Sequence, residues 1–379
     1  MKILVMIDSF KGSLSSFEAG SIIKETIENI NKDDQVRVLP IGDGGEGTLD
    51  AMTSLAGLDE VRVKVKNPLM EDIEARYAFS QEEKLAIMEM SECSGLTLIE
   101  DRLSPMEATT YGLGQMIIHA LDKGARDFII GIGGSATNDG GIGMLEALGY
   151  KFLDEKGQEI PKGIIGVEKL SKIEKSGVDP RVFEAKFSIA CDVDNPLCGQ
   201  RGAAHVYGPQ KGADENQVKE IDKYLEKYHQ LTKNILEDPD STYPGVGAAG
   251  GLGYAFKNYL GATLESGIKL ILDKIEAEKY IKEADLVITG EGKMDFQTSM
   301  GKTPVGVAKL AKKHGKKVLA FAGVVDNDAV AVNKEGIDAF FPIIDQLRPL
   351  DQALSKEVAK ENLQRSVSQV INLINLWRK

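Results

Sequence analysis

Five times along this chain a short apolar run ends in a loop that combines glycine with a carboxylate, an amide or a lysine. The loops are Asp8-Ser-Phe-Lys-Gly12, Asp43-Gly-Gly-Glu46, Gly131-Ile-Gly-Gly-Ser-Ala-Thr-Asn-Asp-Gly-Gly141, Ala190-Cys-Asp-Val-Asp-Asn-Pro196, and Thr289-Gly-Glu-Gly292 followed by Asp295, Gln297 and Gly301-Lys-Thr303. Apolar runs that stop at such loops, with helical spacing between them, are the pattern of strands buried on both faces of a parallel sheet. Lys2–Asp8 reads as a first strand. Ser13–Ile30 reads as a helix with apolar Phe17, Ile22, Ile23, Ile27 and Ile30 and serines at its start. Gln35–Ile41 is the next strand, leading to a helix through Leu55. This βαβα order predicts right-handed crossovers in a parallel sheet.

The same rhythm returns near the other end. Asp285–Thr289, Lys317–Ala322 and Ala339–Ile344 read as strands, Val305–His314 and Ser355–Trp377 as helices. The middle differs. Val61, Val63 and Val65, then Ile73, Ala75, Tyr77 and Phe79, alternate like a hairpin bent at Asn67-Pro68. Lys84–Met90 is another strand, and the polar stretch 162–180 reads as a surface excursion. The fold class expected is α/β, with an irregular region separating two pieces of one doubly wound domain.

Composition narrows the function. A formal net charge of −12 disfavours nonspecific nucleic-acid binding and anionic membranes. The 40 glycines among 379 residues exceed the usual share of about 7%. Three cysteines without a CxxC pair, and four histidines without matching spacing, make a zinc site or a disulfide framework unexpected. The apolar run at the start stops at Asp8, too short for a signal-peptide core or a membrane span, so the expected compartment is the cytoplasm.

In open parallel sheets, ligands bind beyond the carboxyl ends of the strands, so the five loops are candidates for one cleft. Lys11, two residues after Ser9, is suited to a phosphate or a carboxylate; Asp8 to a metal or a proton. Asp43 and Glu46, with Gly44 and Gly45, put two carboxylates in one glycine turn, where they repel unless a cation intervenes. In the third loop Gly133 and Gly134 offer backbone N–H groups, and Ser135, Thr137, Asn138 and Asp139 add polar side chains at an expected helix N-terminus, a mixture suited to a phosphate. Asp192, Asp194 and Asn195 supply oxygen donors of the kind magnesium prefers, and Lys211 lies in a glycine-flanked bend. Glu291, Asp295 and Lys302 coincide at a strand end. A cap or an Asx turn accounts for any one of these loops alone.

Two familiar motifs fail. Gly301-Lys302-Thr303 resembles the end of a P-loop, but Phe296 stands where the first glycine belongs. Gly42-x-Gly44-x-x-Gly47 and Gly131-x-Gly133-x-x-Ala136 fit a loose dinucleotide fingerprint, but the nearby carboxylates suit a metal-bridged phosphate better than a bare pyrophosphate.

At these residues the chain resembles the glycerate kinase family of bacteria, the type similar to neither P-loop kinases nor sugar kinases. The resemblance rests on Asp8-Ser-Phe-Lys-Gly-Ser-Leu-Ser15, Pro40-Ile-Gly-Asp-Gly-Gly-Glu-Gly-Thr48, Gly133-Gly-Ser-Ala-Thr-Asn-Asp-Gly-Gly141, Cys191-Asp-Val-Asp-Asn-Pro-Leu197, Gly208-Pro-Gln-Lys-Gly-Ala213 and Ile288-Thr-Gly-Glu-Gly292 with Asp295 and Gln297-Thr298. Gly42 departs from it, where alanine is expected. The resemblance implies ATP-dependent, magnesium-assisted phosphorylation of D-glycerate to 2-phosphoglycerate, with 3-phosphoglycerate the alternative product. It implies a flavodoxin-like domain from residues 1–59 and 275–379, an inserted mixed-sheet α/β domain at 60–274, and an active site in the cleft between them. Within that reading Lys11, Asp192, Glu291 and Asp295 are the catalytic candidates and Asp8, Asp43 and Asp192 the metal ligands. Ser9, Asp43, Gly44, Gly45, Glu46, Gly133, Gly134, Ser135, Thr137, Asn138, Asp139, Asn195, Lys211, Gln297 and Lys302 are the substrate and phosphate contacts. The partners expected are small molecules, with no nucleic acid or membrane, and a homodimer is an assembly left open. A dinucleotide-dependent hydroxy-acid oxidoreductase and a non-catalytic metabolite sensor are the rival readings.

Overall fold

The computed structural model describes all residues but 46, 54–57, 347 and 379. The chain forms two compact units: Met1–Asp43, Asp50–Ala56 and Ser266–Lys379 make the first, Gly44–Leu49 and Gly57–Glu265 the second. Strands β1 (Lys2–Val5) and β2 (Gln35–Val38) open the first unit. The second unit holds β3 (Asp59–Lys66), β4 (Asp72–Ser80), β5 (Leu85–Glu89), β6 (Asp127–Gly131), β7 (Lys151–Leu153), β8 (Lys172–Glu174), β9 (Lys186–Ala190) and β10 (Thr263–Glu265). The chain returns to the first unit with β11 (Leu286–Met294), β12 (Lys317–Val325) and β13 (Ala339–Pro342).

The first unit is a five-stranded parallel sheet in the order β2-β1-β11-β12-β13. Counted within the unit this is 2-1-3-4-5, the flavodoxin-like doubly wound order. Residues 3–7 are all buried, as a strand covered on both faces requires. Helix Ser16–Ile30 packs beside helix Lys356–Asn375, and Ile23, Ile27, Leu363 and Val367 join Ile3, Val5 and Ile7 in one core. The first helix starts where Ser15 and Glu18 form a capping box, three residues later than the apolar spacing alone suggests. Helix Gly267–Lys274, assigned to the insertion in the sequence reading, belongs to this unit, where it packs on helix Thr303–Lys313. A Cβ on Gly306 would meet the Ile268 side chain at 2.6 Å.

β11 and β12 each run nine residues, past their apolar runs, and pair as far as Met294 with Val325. Thr289-Gly-Glu-Gly292 is therefore strand and not loop. Glycine permits it: a Cβ on Gly290 would lie 1.9 Å from the Phe321 carbonyl oxygen.

The second unit carries a mixed six-stranded sheet in the order β10-β9-β6-β5-β4-β3. β3–β4 and β4–β5 are antiparallel and the other pairs parallel. Val61 faces Tyr77, Val63 faces Ala75 and Val65 faces Ile73, the register that the alternation specifies. The bend closes on Asn67, whose Oδ1 accepts from the N–H groups of Leu69 and Glu71, both at 2.9 Å. The stretch 162–180 is not a surface excursion. Ile164, Val167, Leu170 and Ile173 are buried in this unit's core, and β8 pairs with β7. Every third residue points inward there, a spacing that the intervening lysines and glutamates mask. Among the described residues, no helix is long and apolar enough to cross a membrane.

Candidate active site

In the first unit the sheet order reverses between β1 and β11, and ligands of doubly wound sheets bind beyond the strand ends at that switch point. The Asp8 N–H donates to the Gly290 carbonyl at 3.0 Å, which sets Asp8 beside the Glu291 segment. Asp8 is buried. Its Oδ1 accepts from the Ser9 N–H at 2.7 Å and its Oδ2 from the Thr303 hydroxyl at 2.9 Å. Burial, then the charge of Asp43, push this carboxyl up to about 7, against those two hydrogen bonds. Glu291 accepts from the Thr298 hydroxyl and is likewise pushed up to about 7, by burial first and by Asp295 and Asp43 in smaller measure. Three acids from distant stretches of chain thus share one neighbourhood, and two of them hold a proton near neutrality. That is the electrostatic condition of a site suited to a cation.

The neighbouring groups are more committed. Asp295 is the N-cap of the short helix Phe296–Ser299, accepting from the Gln297 N–H at 2.9 Å, and Lys293 lies 3.5 Å from its other oxygen. Lys302 donates to the Gln297 side chain at 3.3 Å. Lys11 is exposed, with its backbone nitrogen 3.2 Å from where a Cβ on Gly292 would sit.

The second unit gathers the glycine loop. A Cβ on Gly131 would stand 1.7 Å from the Gly44 carbonyl oxygen, so the turn holding Gly44 and Gly45 crosses the end of β6 at a distance only glycine allows. Gly44 donates to the Thr48 hydroxyl at 2.9 Å. Sequence reasoning missed Glu89: it is buried at the end of β5, accepting from the Leu49 N–H at 2.6 Å and the Ser91 hydroxyl at 3.3 Å. Its signal was a carboxylate ending an otherwise apolar strand. Gly133 and Gly134 are exposed, and Ser135 beside them is nearly buried. Asp192 is exposed beyond the end of β9; Asn195 is held by Tyr207 at 2.6 Å and by the Arg201 carbonyl at 2.8 Å.

Several expectations for this loop need correction. Its polar residues do not all stand at a helix N-terminus, because helix Ile142–Ala147 begins only after Gly141. Thr137, Asn138 and Asp139 are inside the protein, at 0% exposure. Asp139 accepts from the N–H groups of Gly141 and Gly143, each at 3.1 Å, from the Thr110 N–H at 2.8 Å, and from the hydroxyls of Thr109 and Thr110. One protein carboxylate therefore serves the starts of two helices, Tyr111–Asp122 and Ile142–Ala147. Lys211 is buried too, and its Nζ donates to the Thr137 carbonyl at 2.6 Å. Burial pushes that ammonium down to about 7, against the pull of Asp139. It is a strut under the loop. Among the described residues the Thr137 hydroxyl and Asn138 Oδ1 meet no hydrogen-bond partner.

Glu46 lies outside the described residues. Among the described residues no group of three or more His, Cys, Asp or Glu side chains is placed to hold a metal. Magnesium keeps waters and phosphate oxygens as ligands and needs only one or two carboxylates, and Asp8 and Asp43 lie close enough for the charge of one to act on the other.

An α/β phosphotransferase is the class that the doubly wound sheet and its switch-point acids fit. Comparison with known proteins makes the class specific. The profile of the glycerate kinase family matches residues 3–375. The glycerate kinase of Halalkalibacterium halodurans is 41% identical over 378 residues, 100% of this chain and 99% of that protein. Glycerate 2-kinase of Escherichia coli K12 is 43% identical over 354 residues, 93% of each. A crystal structure assigned to glycerate kinase 2 of Salmonella typhimurium LT2 superposes with a TM-score of 0.90 at 40% identity, covering 100% of this chain and 99% of that one. The chain belongs to the glycerate kinase family, and it is a kinase.

Proposed function

We propose that this enzyme transfers the γ-phosphoryl group of ATP to the 2-hydroxyl of D-glycerate, giving 2-phosphoglycerate and ADP. The observation that carries the reading is the pair of carboxyls, Asp8 and Glu291, held near pH 7 at the switch point of a doubly wound sheet. Phosphoryl transfer needs positioning and charge neutralisation more than covalent chemistry. Glu291 takes the proton of the attacking hydroxyl: one oxygen is fixed by Thr298, and a base titrating near 7 is about half available at neutrality. Asp8 and Asp43 are the residues that would hold magnesium, which would supply charge neutralisation to the phosphates. Lys302 and Lys11 face anionic groups of the substrates. Gly133, Gly134 and Ser135 supply the anion-binding backbone of the second unit, over the rigid support of Asp139 and Lys211. Asp192 and Asn195 contribute beside them. Asp295, a helix cap, positions Gln297 and Lys302 and is the weaker candidate for base.

The 2-position is supported by the name of the Escherichia coli relative. The cytoplasm is supported by three cysteines that are all free. Phosphorus NMR of the purified protein with ATP, Mg²⁺ and D-glycerate tests the reading. A phosphomonoester resonance rising with ADP, with the proton coupling of a secondary alcohol ester, is expected. A primary ester would shift the assignment to 3-phosphoglycerate, and intact ATP would overturn it.

A further inference from the structure

Among the described large apolar side chains that the first unit leaves exposed, five lie at one edge, around the carboxyl ends of β11, β12 and β13: Phe296, Met300, Val324, Val330 and Ile344. Phe296 is 54% exposed and Met300 77%. They stand four apart, on one side of the short helix after β11 and its final cap. That helix packs against the 3₁₀ segment Asn327–Glu335, which carries Val330. Val324 is the register partner of Lys293 on the neighbouring strand. The patch is continuous in sequence with the polar site: Asp295 precedes Phe296, Gln297 follows it, and Lys302 is two residues past Met300.

Apolar surface at the ligand-binding edge of a doubly wound sheet asks which substrate could cover it. D-glycerate has three carbons, each bearing oxygen, and offers no apolar face. A nucleoside triphosphate is the amphipathic partner, with a flat aromatic head and an anionic tail. The patch has the matching division, with an aromatic ring and a soft thioether outside and a lysine and switch-point acids inside. We infer that Phe296 and Met300 form the platform on which the purine base of the nucleotide stacks, with Lys302 on the side of its phosphates. The inference rests on the kinase reading and assigns the base a place in the first unit.

The test compares the full-length protein with its Phe296→Ala, Met300→Ala and Phe296→Trp variants. Base–aromatic stacking sets the scale at about a 10-fold change. Phe296→Ala is expected to raise the KM for ATP about 10-fold and Met300→Ala by less, both leaving kcat at saturating ATP and the KM for D-glycerate unchanged. Phe296→Trp restores the wild-type KM. Equilibrium binding of mant-ATP, whose base is unmodified, is expected to weaken in parallel, and adenosine is expected to compete with it. This second measurement needs no turnover, so a wild-type protein that binds mant-ATP but leaves D-glycerate unchanged refutes the acceptor and not the platform. Unaltered mant-ATP affinity in both alanine variants, or none in the wild type, overturns the platform. So does a joint fall of kcat, both affinities and the unfolding midpoint, the mark of a face covered by protein.

Discussion

Replacing Asp8 by Asn should stabilise the folded protein at pH 8 while abolishing its activity. The carboxyl moves from 3.8, the ordinary aspartate value, to about 7 on folding. The folded chain therefore holds this proton more tightly than the unfolded chain. The associated stability is fully present below pH 3.8 and is lost as pH rises through about 7. At pH 8 the ionised group costs the wild type about 4 kcal/mol, from three pKa units at about 1.4 kcal/mol each. At pH 5 the cost is only about 2 kcal/mol, since the folded form simply keeps its proton. Asn carries no such charge, but it must replace hydrogen bonds from Ser9 and Thr303, at about 1 kcal/mol apiece. Those bonds matter about equally at both pH values, so the difference between them isolates the charge. Urea unfolding followed by far-UV circular dichroism, with separate transitions fitted if the two units part, should show the variant gaining about 2–3 kcal/mol on the wild type between pH 5 and pH 8. A stability difference that stays constant across this range, or turns toward the wild type, would refute the argument that burial and Asp43 hold Asp8 protonated.

Glu291→Gln should lower kcat by about 10²–10⁴ with little change in mant-ATP affinity; a few-fold loss sinks its role as base. In the wild type, kcat should climb with pH through about 7 as Glu291 loses its proton, and a flat stopped-assay profile from pH 6 to 8 contradicts it. Asp139→Ala strands the donors at two helix starts and should cost about 3–5 kcal/mol in urea unfolding. Lys211→Met should leave both substrate KM values near wild type and change stability by less than about 2 kcal/mol; a large rise in either KM would restore the phosphate-binding role.

What the sequence by itself determined was mostly periodic. Residues 3–7 on a two-sided strand, and the valines of β3 against the alternating side chains of β4, could satisfy their apolar faces in only one way. The glycine loops were equally legible as places where backbone must come close, as Gly131 over Gly44 and Gly290 beside Phe321 demonstrate. Where apolar periodicity stopped, so did the reading. The last residues of β11 look like a loop because Gly-Glu-Gly has no face to bury, yet a neighbouring strand supplies their hydrogen bonds. Asp139 and Asp8 illustrate the deeper limit. Both are aspartates in glycine-rich loops, and nothing local distinguishes them. Tertiary structure surrounds Asp139 with donors from Thr109, Thr110, Gly141 and Gly143, making it a fixed structural acceptor. It sets Asp8 beside Asp43 and in the field of Glu291, making it a group that titrates near neutrality. A carboxylate's chemistry is set by the donors and charges that surround it, and for Asp8 and Glu291 those come from opposite ends of the chain, so only folding could decide it.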